Sequence, residues 1–150
     1  MRFHAVAMTL VIALATANPA GAAEPVGPKL PDRVRGLLVQ EMNAILGASH
    51  EILDAIVRGR HERVAEKAQA IHDSFILEQE MTAADRRALK EAVPKAFVER
   101  DRAFHELTGE LARAGRDRDG ARERELFGRM IDACAACHAR YAGDRFSGFE

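Results

Sequence analysis

The 150-residue chain has no tryptophan, one tyrosine, five prolines and only two cysteines. Runs of Val, Ile, Thr and aromatic residues are missing, which argues against a sheet-based fold. No stripe of unopposed bases appears either. The 22 Lys and Arg are interspersed with 23 Asp and Glu, leaving no footing for a nucleic-acid interface. A hydrolase triad, a phosphate loop and a paired-carboxylate constellation are all absent from view, so no enzyme is expected. The two cysteines, Cys134 and Cys137, lie three residues apart. A disulfide across so short a segment would constrain the unfolded chain little, so the spacing asks for another explanation.

Ala, Leu, Glu and Arg dominate what is present, and these are strong helix formers. With 47% apolar and 30% charged residues, the composition is that of a soluble globular domain. Arg2 is the only Lys, Arg, Asp or Glu before Glu24, and an apolar stretch from Ala5 to Ala17 leads to small residues at Ala20–Ala23. This order predicts a secretory signal peptide over 1–23, removed on export to the periplasm. The stretch is short of the roughly 20 residues a membrane span requires, so no stable membrane insertion is expected. Residues 24–150 then form one domain with 21 basic and 23 acidic side chains, a net charge of −2.

Periodicity predicts four amphipathic helices, about 31–58, 61–78, 83–114 and 120–142. In the first, Leu38, Met42, Ile45, Leu46, Ser49, Leu53 and Ile56 form the apolar stripe, with Met42 near its centre. Val64, Ala68, Ile71 and Phe75 form the second stripe. Val93, Phe97, Phe104 and Leu111 form the third, and Leu126, Met130, Cys134, Cys137 and Tyr141 the fourth. Residues 26–31 read as a Pro-rich linker. Gly59 is a natural helix stop. Thr82 reads as an N-cap with Asp85 in the first turn, and Pro94 predicts a kink or break in the third helix. Phe146 and Phe149 suggest a tail that packs back on the domain. Short connections between four such helices favour an all-α, antiparallel four-helix bundle.

Cys134-Ala135-Ala136-Cys137-His138 is the Cys-x-x-Cys-His signature of covalent haem attachment. Cysteines at i and i+3 lie on one side of a helix, so both thiols can reach the two vinyl groups of one haem. His138, at i+4 from Cys134, rises beside the same porphyrin edge. A thioredoxin-like pair would need a strand-rich scaffold, and a structural zinc site would need about four ligands. A bare disulfide would leave His138 unexplained.

The chain resembles the class II cytochromes c, that is, cytochrome c-prime and its low-spin relatives. The resemblance covers about 31–142. It rests on the motif's place in the last helix, on Tyr141 three residues after His138, and on a methionine in the inward stripe of the first helix. It implies one covalent haem c on Cys134 and Cys137, with His138 as proximal iron ligand and the first helix on the distal side. Low-spin members use a methionine of that helix as sixth ligand, and Met42 is the matching residue.

Two functions follow. A His138/Met42 iron would shuttle single electrons between exported redox partner proteins. A five-coordinate iron, covered instead by Leu38, Ile45 or Leu46, would bind a small gas such as nitric oxide or carbon monoxide. A weaker third is a sensor or accessory subunit whose redox state another protein reads. Homodimer formation stays open. His50, His61, His72 and His105 are alternative distal ligands, and Met130 is expected beside the haem on the proximal side. Asp101, close to the Phe97–Phe104 stripe, needs a partner, and an arginine or a structural hydrogen bond is expected rather than a catalytic role.

Overall fold

The computed structural model describes residues 24–148. The expected signal peptide and Phe149 lie outside the described residues. Every regular element among the described residues is helical: a 3-10 turn at Gly27–Lys29, then α1 (Asp32–Val57), α2 (His61–His72), α3 (Leu77–Glu80), α4 (Ala83–Ala92), α5 (Lys95–Arg116) and α6 (Gly120–Tyr141).

Local chemistry sets most of the boundaries. Gly59 adopts φ +65°, which releases its N–H to Ile56 O (3.1 Å) and that of Arg60 to Ala55 O (2.8 Å), closing α1. Thr82 caps α4 reciprocally. Its hydroxyl accepts from Asp85 N at 3.2 Å, while the Asp85 carboxylate accepts from Thr82 N at 3.0 Å. The expected break at Pro94 is complete. Val93 turns extended at ψ 147°, and the third expected helix becomes α4 and α5.

Two expectations are corrected here. The second helix ends at His72 rather than about residue 78, because Ser74 takes φ +61° and the following N–H groups turn toward α1. The lead-in is also no loose linker. Val26 and Leu30 are buried, and Val26 N donates to Tyr141 O at 3.0 Å.

The helices pack as neighbours in the order α1, α2, α5, α6. The α2–α5 seam is the most extensive, whereas α1 and α6 barely touch. Small residues permit the close seam: a Cβ on Gly115 would sit 2.7 Å from Ala65 N and 2.8 Å from His61 O. The main core joins Ile45, Ile52, Val64, Ile71, Leu111, Leu126 and Met130. A second cluster, at the other end, joins Val26, Leu30, Val34, Val93 and Tyr141.

The α1 stripe is rotated from the expected one. Val34, Leu37, Glu41, Ile45, Ala48, Ser49, Ile52 and Ala55 are buried, while Leu46 and Leu53 are 56% and 50% exposed. Met42 therefore stands at the margin of the buried face, half-buried, rather than at its centre. The apolar pattern misled because the buried face contains alanines and a glutamate, which carry little hydrophobic signal.

Candidate functional site

The last two turns of α6 carry the motif. The helix starts under Asp119, whose side chain accepts from Arg122 N at 3.0 Å. It is held at its other end by the second cluster through Tyr141, which meets Phe97 edge-on at 5.2 Å. Regular helix over Gly120–Tyr141 puts Cys134, Cys137 and His138 along one side. Both cysteines are free and half-buried. Cys137 packs against the second cluster, as do Leu38 of α1 and Phe97 of α5.

Burial raises the pKa of the Cys134 thiol. Burial also raises that of Cys137, reinforced by the nearby Asp101 carboxylate and opposed by Arg100. Both therefore stand as protonated thiols. His138 shifts the other way: burial lowers its pKa and favours the neutral imidazole, the form that ligates iron. The His138 ring is stacked on Phe146, with centroids 4.7 Å apart and planes at 15°. Two thiols and a neutral imidazole on one helix side fit the chemistry that a covalent haem demands. The small Ala135 and Ala136 between the cysteines add no bulk there.

Most of the other singled-out residues are engaged elsewhere, Asp101 being the one that reaches Cys137. Met42 packs against the main core from α1. Met130, one turn before Cys134 on α6, is fully buried in that core with Leu126. His61 Nδ1 pairs with Glu123 Oε1 at 2.8 Å, tying α2 to α6. His72 and His105 link α2 and α5 reciprocally. Nδ1 of His72 lies 2.7 Å from His105 O, and Nδ1 of His105 lies 2.8 Å from Ile71 O. His50 is exposed on α1. The partner of Asp101 is His105, at 3.8 Å. Desolvation raises the Asp101 pKa, with His105 opposing and Glu41 and Glu78 reinforcing.

Glu41 is a residue that sequence reasoning passed over. It is 1% exposed, and its carboxylate accepts from Ser74 Oγ (3.1 Å) and from the backbone N–H groups of Phe75 (3.0 Å), Ile76 (2.5 Å) and Leu77 (3.1 Å). One side chain thus satisfies the donors where α2 has ended, and latches the α2–α4 connection onto α1 beside Met42. Its signal was present: Glu41 falls between Leu37 and Ile45 at helical spacing.

An all-helical bundle with Cys-x-x-Cys-His on its last helix is the class of protein that binds haem covalently. A family model described as Cytochrome C' matches residues 36–142. The chain belongs to this cytochrome c-prime family, a class II cytochrome c family, which implies a covalently bound haem c and is typically periplasmic. No curated protein and no solved structure matches the chain. None of the helices among the described residues is long and apolar enough to cross a membrane.

Proposed function

We propose that this chain is an exported monohaem c-type cytochrome that transfers single electrons. In this reading an antiparallel four-helix bundle of α1, α2, α5 and α6 holds one haem in the α1–α6 gap. Cys134 and Cys137 would hold it through thioether bonds, and His138 and Met42 would be its axial ligands. The observation that carries the reading is the set of two free thiols and a neutral imidazole on one side of α6. Bound there, the haem supplies a one-electron iron couple, and a thioether ligand raises its potential. The protein's own residues hold the group and shield it from water. The partners are exported redox proteins.

A second reading has its own support. Leu38, one helical turn from Met42, packs against the same cluster as Cys137, whereas Met42 leans on the main core. An apolar Leu38 cover would leave iron five-coordinate and open to nitric oxide or carbon monoxide, and the family description suits that state.

One comparison separates them: optical spectra of wild type and Met42→Leu, ferric and ferrous. Leucine keeps most of the packing volume, so the swap isolates ligation from core filling. Electron carriage predicts a low-spin wild type that turns high-spin and carbon monoxide-reactive in Met42→Leu. A wild type that is already high-spin, with an unchanged variant, would transfer the conclusion to gas binding. Loss of haem colour on a denaturing gel would refute both.

A further inference from the structure

We infer that the end of α6 is a capture site for the chain's own processed N-terminus. The α-ammonium group that a cut after Ala23 leaves on Glu24 binds Arg140 O and caps the motif-bearing helix. The inference rests on the export reading proposed above, which supplies the cut.

The lead-in reaches α6 through its backbone. Glu24 N donates to Arg140 O at 2.6 Å, and Val26 N donates to Tyr141 O at 3.0 Å. Ala142 N donates to His138 O at 2.9 Å. Carbonyls that a helix end normally leaves to water are thus occupied, two of them by residues from the opposite end of the chain. Side chains hold the same register. Val26 and Leu30 are 3% and 4% exposed, clustered with Val34, Val93 and Tyr141. The Glu24 carboxylate stands between two bases, 3.6 Å from Lys29 Nζ and 3.6 Å from Arg140 Nη2.

Processing changes the chemistry of this contact. Hydrolysis of the Ala23–Glu24 peptide bond by the peptidase that removes the leader consumes one water. It leaves a carboxylate on Ala23 and an ammonium on Glu24. Before the cut Glu24 N is a neutral amide with one hydrogen. Afterwards it carries three hydrogens and a positive charge, set against the negative end of the helix dipole. Hydrogen bonds from a charged donor are roughly twice as strong as neutral ones. The Glu24 carboxylate offsets the Lys29 and Arg140 charges close to the new cation. The small residues Ala20–Ala23 suit a cut at either of two neighbouring bonds. Only the bond after Ala23 puts the charge on the nitrogen that faces Arg140 O. A cut after Ala22 sets it about 3.8 Å farther along the chain. The strap therefore gains its full hold on α6 only in the exported, processed chain.

The test uses the exported, haem-loaded protein and cyanate, which carbamoylates only the uncharged amine. The intact mass should place Glu24 first. The Glu24 α-amine should react about tenfold more slowly in the folded protein than in the guanidinium-unfolded chain, the protection a charge-assisted hydrogen bond commands. The Lys95 amine, whose side chain is 90% exposed, calibrates the reagent in both states. Val26→Ala loosens the strap and should remove most of the protection. Val26→Thr, which keeps the shape and adds a buried hydroxyl, takes its place if the alanine variant does not accumulate. A processed chain that begins at Ala23, or at any residue other than Glu24, overturns the inference and leaves the export reading standing. So does a Glu24 amine that reacts equally fast folded and unfolded, or one whose protection survives loosening of the strap. A haem-loaded chain that still begins at Met1 overturns the leader cut itself, and the inference with it.

Discussion

The α2–α5 seam and the α1–α6 gap are built from opposite materials. Along the seam, Gly109, Gly115, Ala65, Ala68 and Ala112 bring two helices so close that a Cβ on Gly109 would lie 3.0 Å from the His72 ring. Polar groups there are spent on the fold itself, as in the reciprocal His72 and His105 bonds to backbone carbonyls. On α6, the motif side chains are half-buried and chemically reactive: Cys134, Cys137 and His138. One interface carries stability through close packing. The other is far less extensive, and reactive groups stand on one of its two helices.

Replacing both Cys134 and Cys137 by alanine should have the largest effect, complete loss of covalent haem, read as loss of peroxidase-active colour on a denaturing gel. Cys137→Ala alone should leave at most one thioether bond and less holoprotein. Far-ultraviolet circular dichroism should show helix persisting in the double variant, because the seam does not depend on the gap. Helix lost along with haem would break the division drawn here.

Gly115→Val comes next and acts on the seam. The added side chain meets backbone atoms of α2, which cannot swing aside as a flexible side chain would. Overpacking of this kind costs about 3 kcal/mol, or a fall of roughly 10 °C in melting temperature for a chain of this size. Folded holoprotein should keep the wild-type spectrum. A spectral change would mean that seam and gap are coupled.

Glu41→Gln tests the latch beside the gap. An amide has one acceptor oxygen in place of two and brings donors that face other donors. A loss of about 1.5 kcal/mol is expected by denaturant unfolding, in line with a lost hydrogen bond to a charged group. Hydrogen exchange should quicken at Phe75, Ile76 and Leu77 first, since their N–H groups lose their acceptor. Unchanged exchange at these three amides would show that the latch is not what orders the connection.

Asp101→Asn should give the smallest effect, and one that depends on pH. Burial, together with Glu41 of α1 and Glu78 of α3, raises the Asp101 pKa against the opposing pull of His105. A carboxyl whose folded pKa is raised favours the folded state in its protonated form. That contribution is present at low pH and is lost as pH rises through the folded value. The asparagine variant should therefore melt slightly higher than wild type at pH 7 and lose the advantage as pH falls through the ordinary carboxylate range. A lower melting temperature at pH 7 would show that the His105 contact outweighs desolvation.

Several features were legible because they are carried by residues close in sequence. The all-helical class, the Thr82–Asp85 cap, the break at Pro94, the stop at Gly59 and the spacing of Cys134, Cys137 and His138 each depend on a few adjacent positions. Helical periodicity and capping chemistry act over a turn or two, so the order of residues contains them. Membership of the class II cytochromes c was legible for the same reason, from one motif and its place in the last helix.

Tertiary structure alone decided the rest. Glu41 is buried because its hydrogen-bond donors arrive from 33 to 36 residues away, and the same contacts stop α2 at His72 and rotate α1 so that Met42 moves to the margin. Val26 and Leu30 turned from linker into core only once Tyr141 and Val93 came to meet them. Phe146 could be foreseen as an apolar tail residue, but not as the ring on His138, because its place depends on how the chain folds back after α6. In each case the deciding partner is distant in sequence, and whether a polar group can be buried depends on what the fold brings to pair with it.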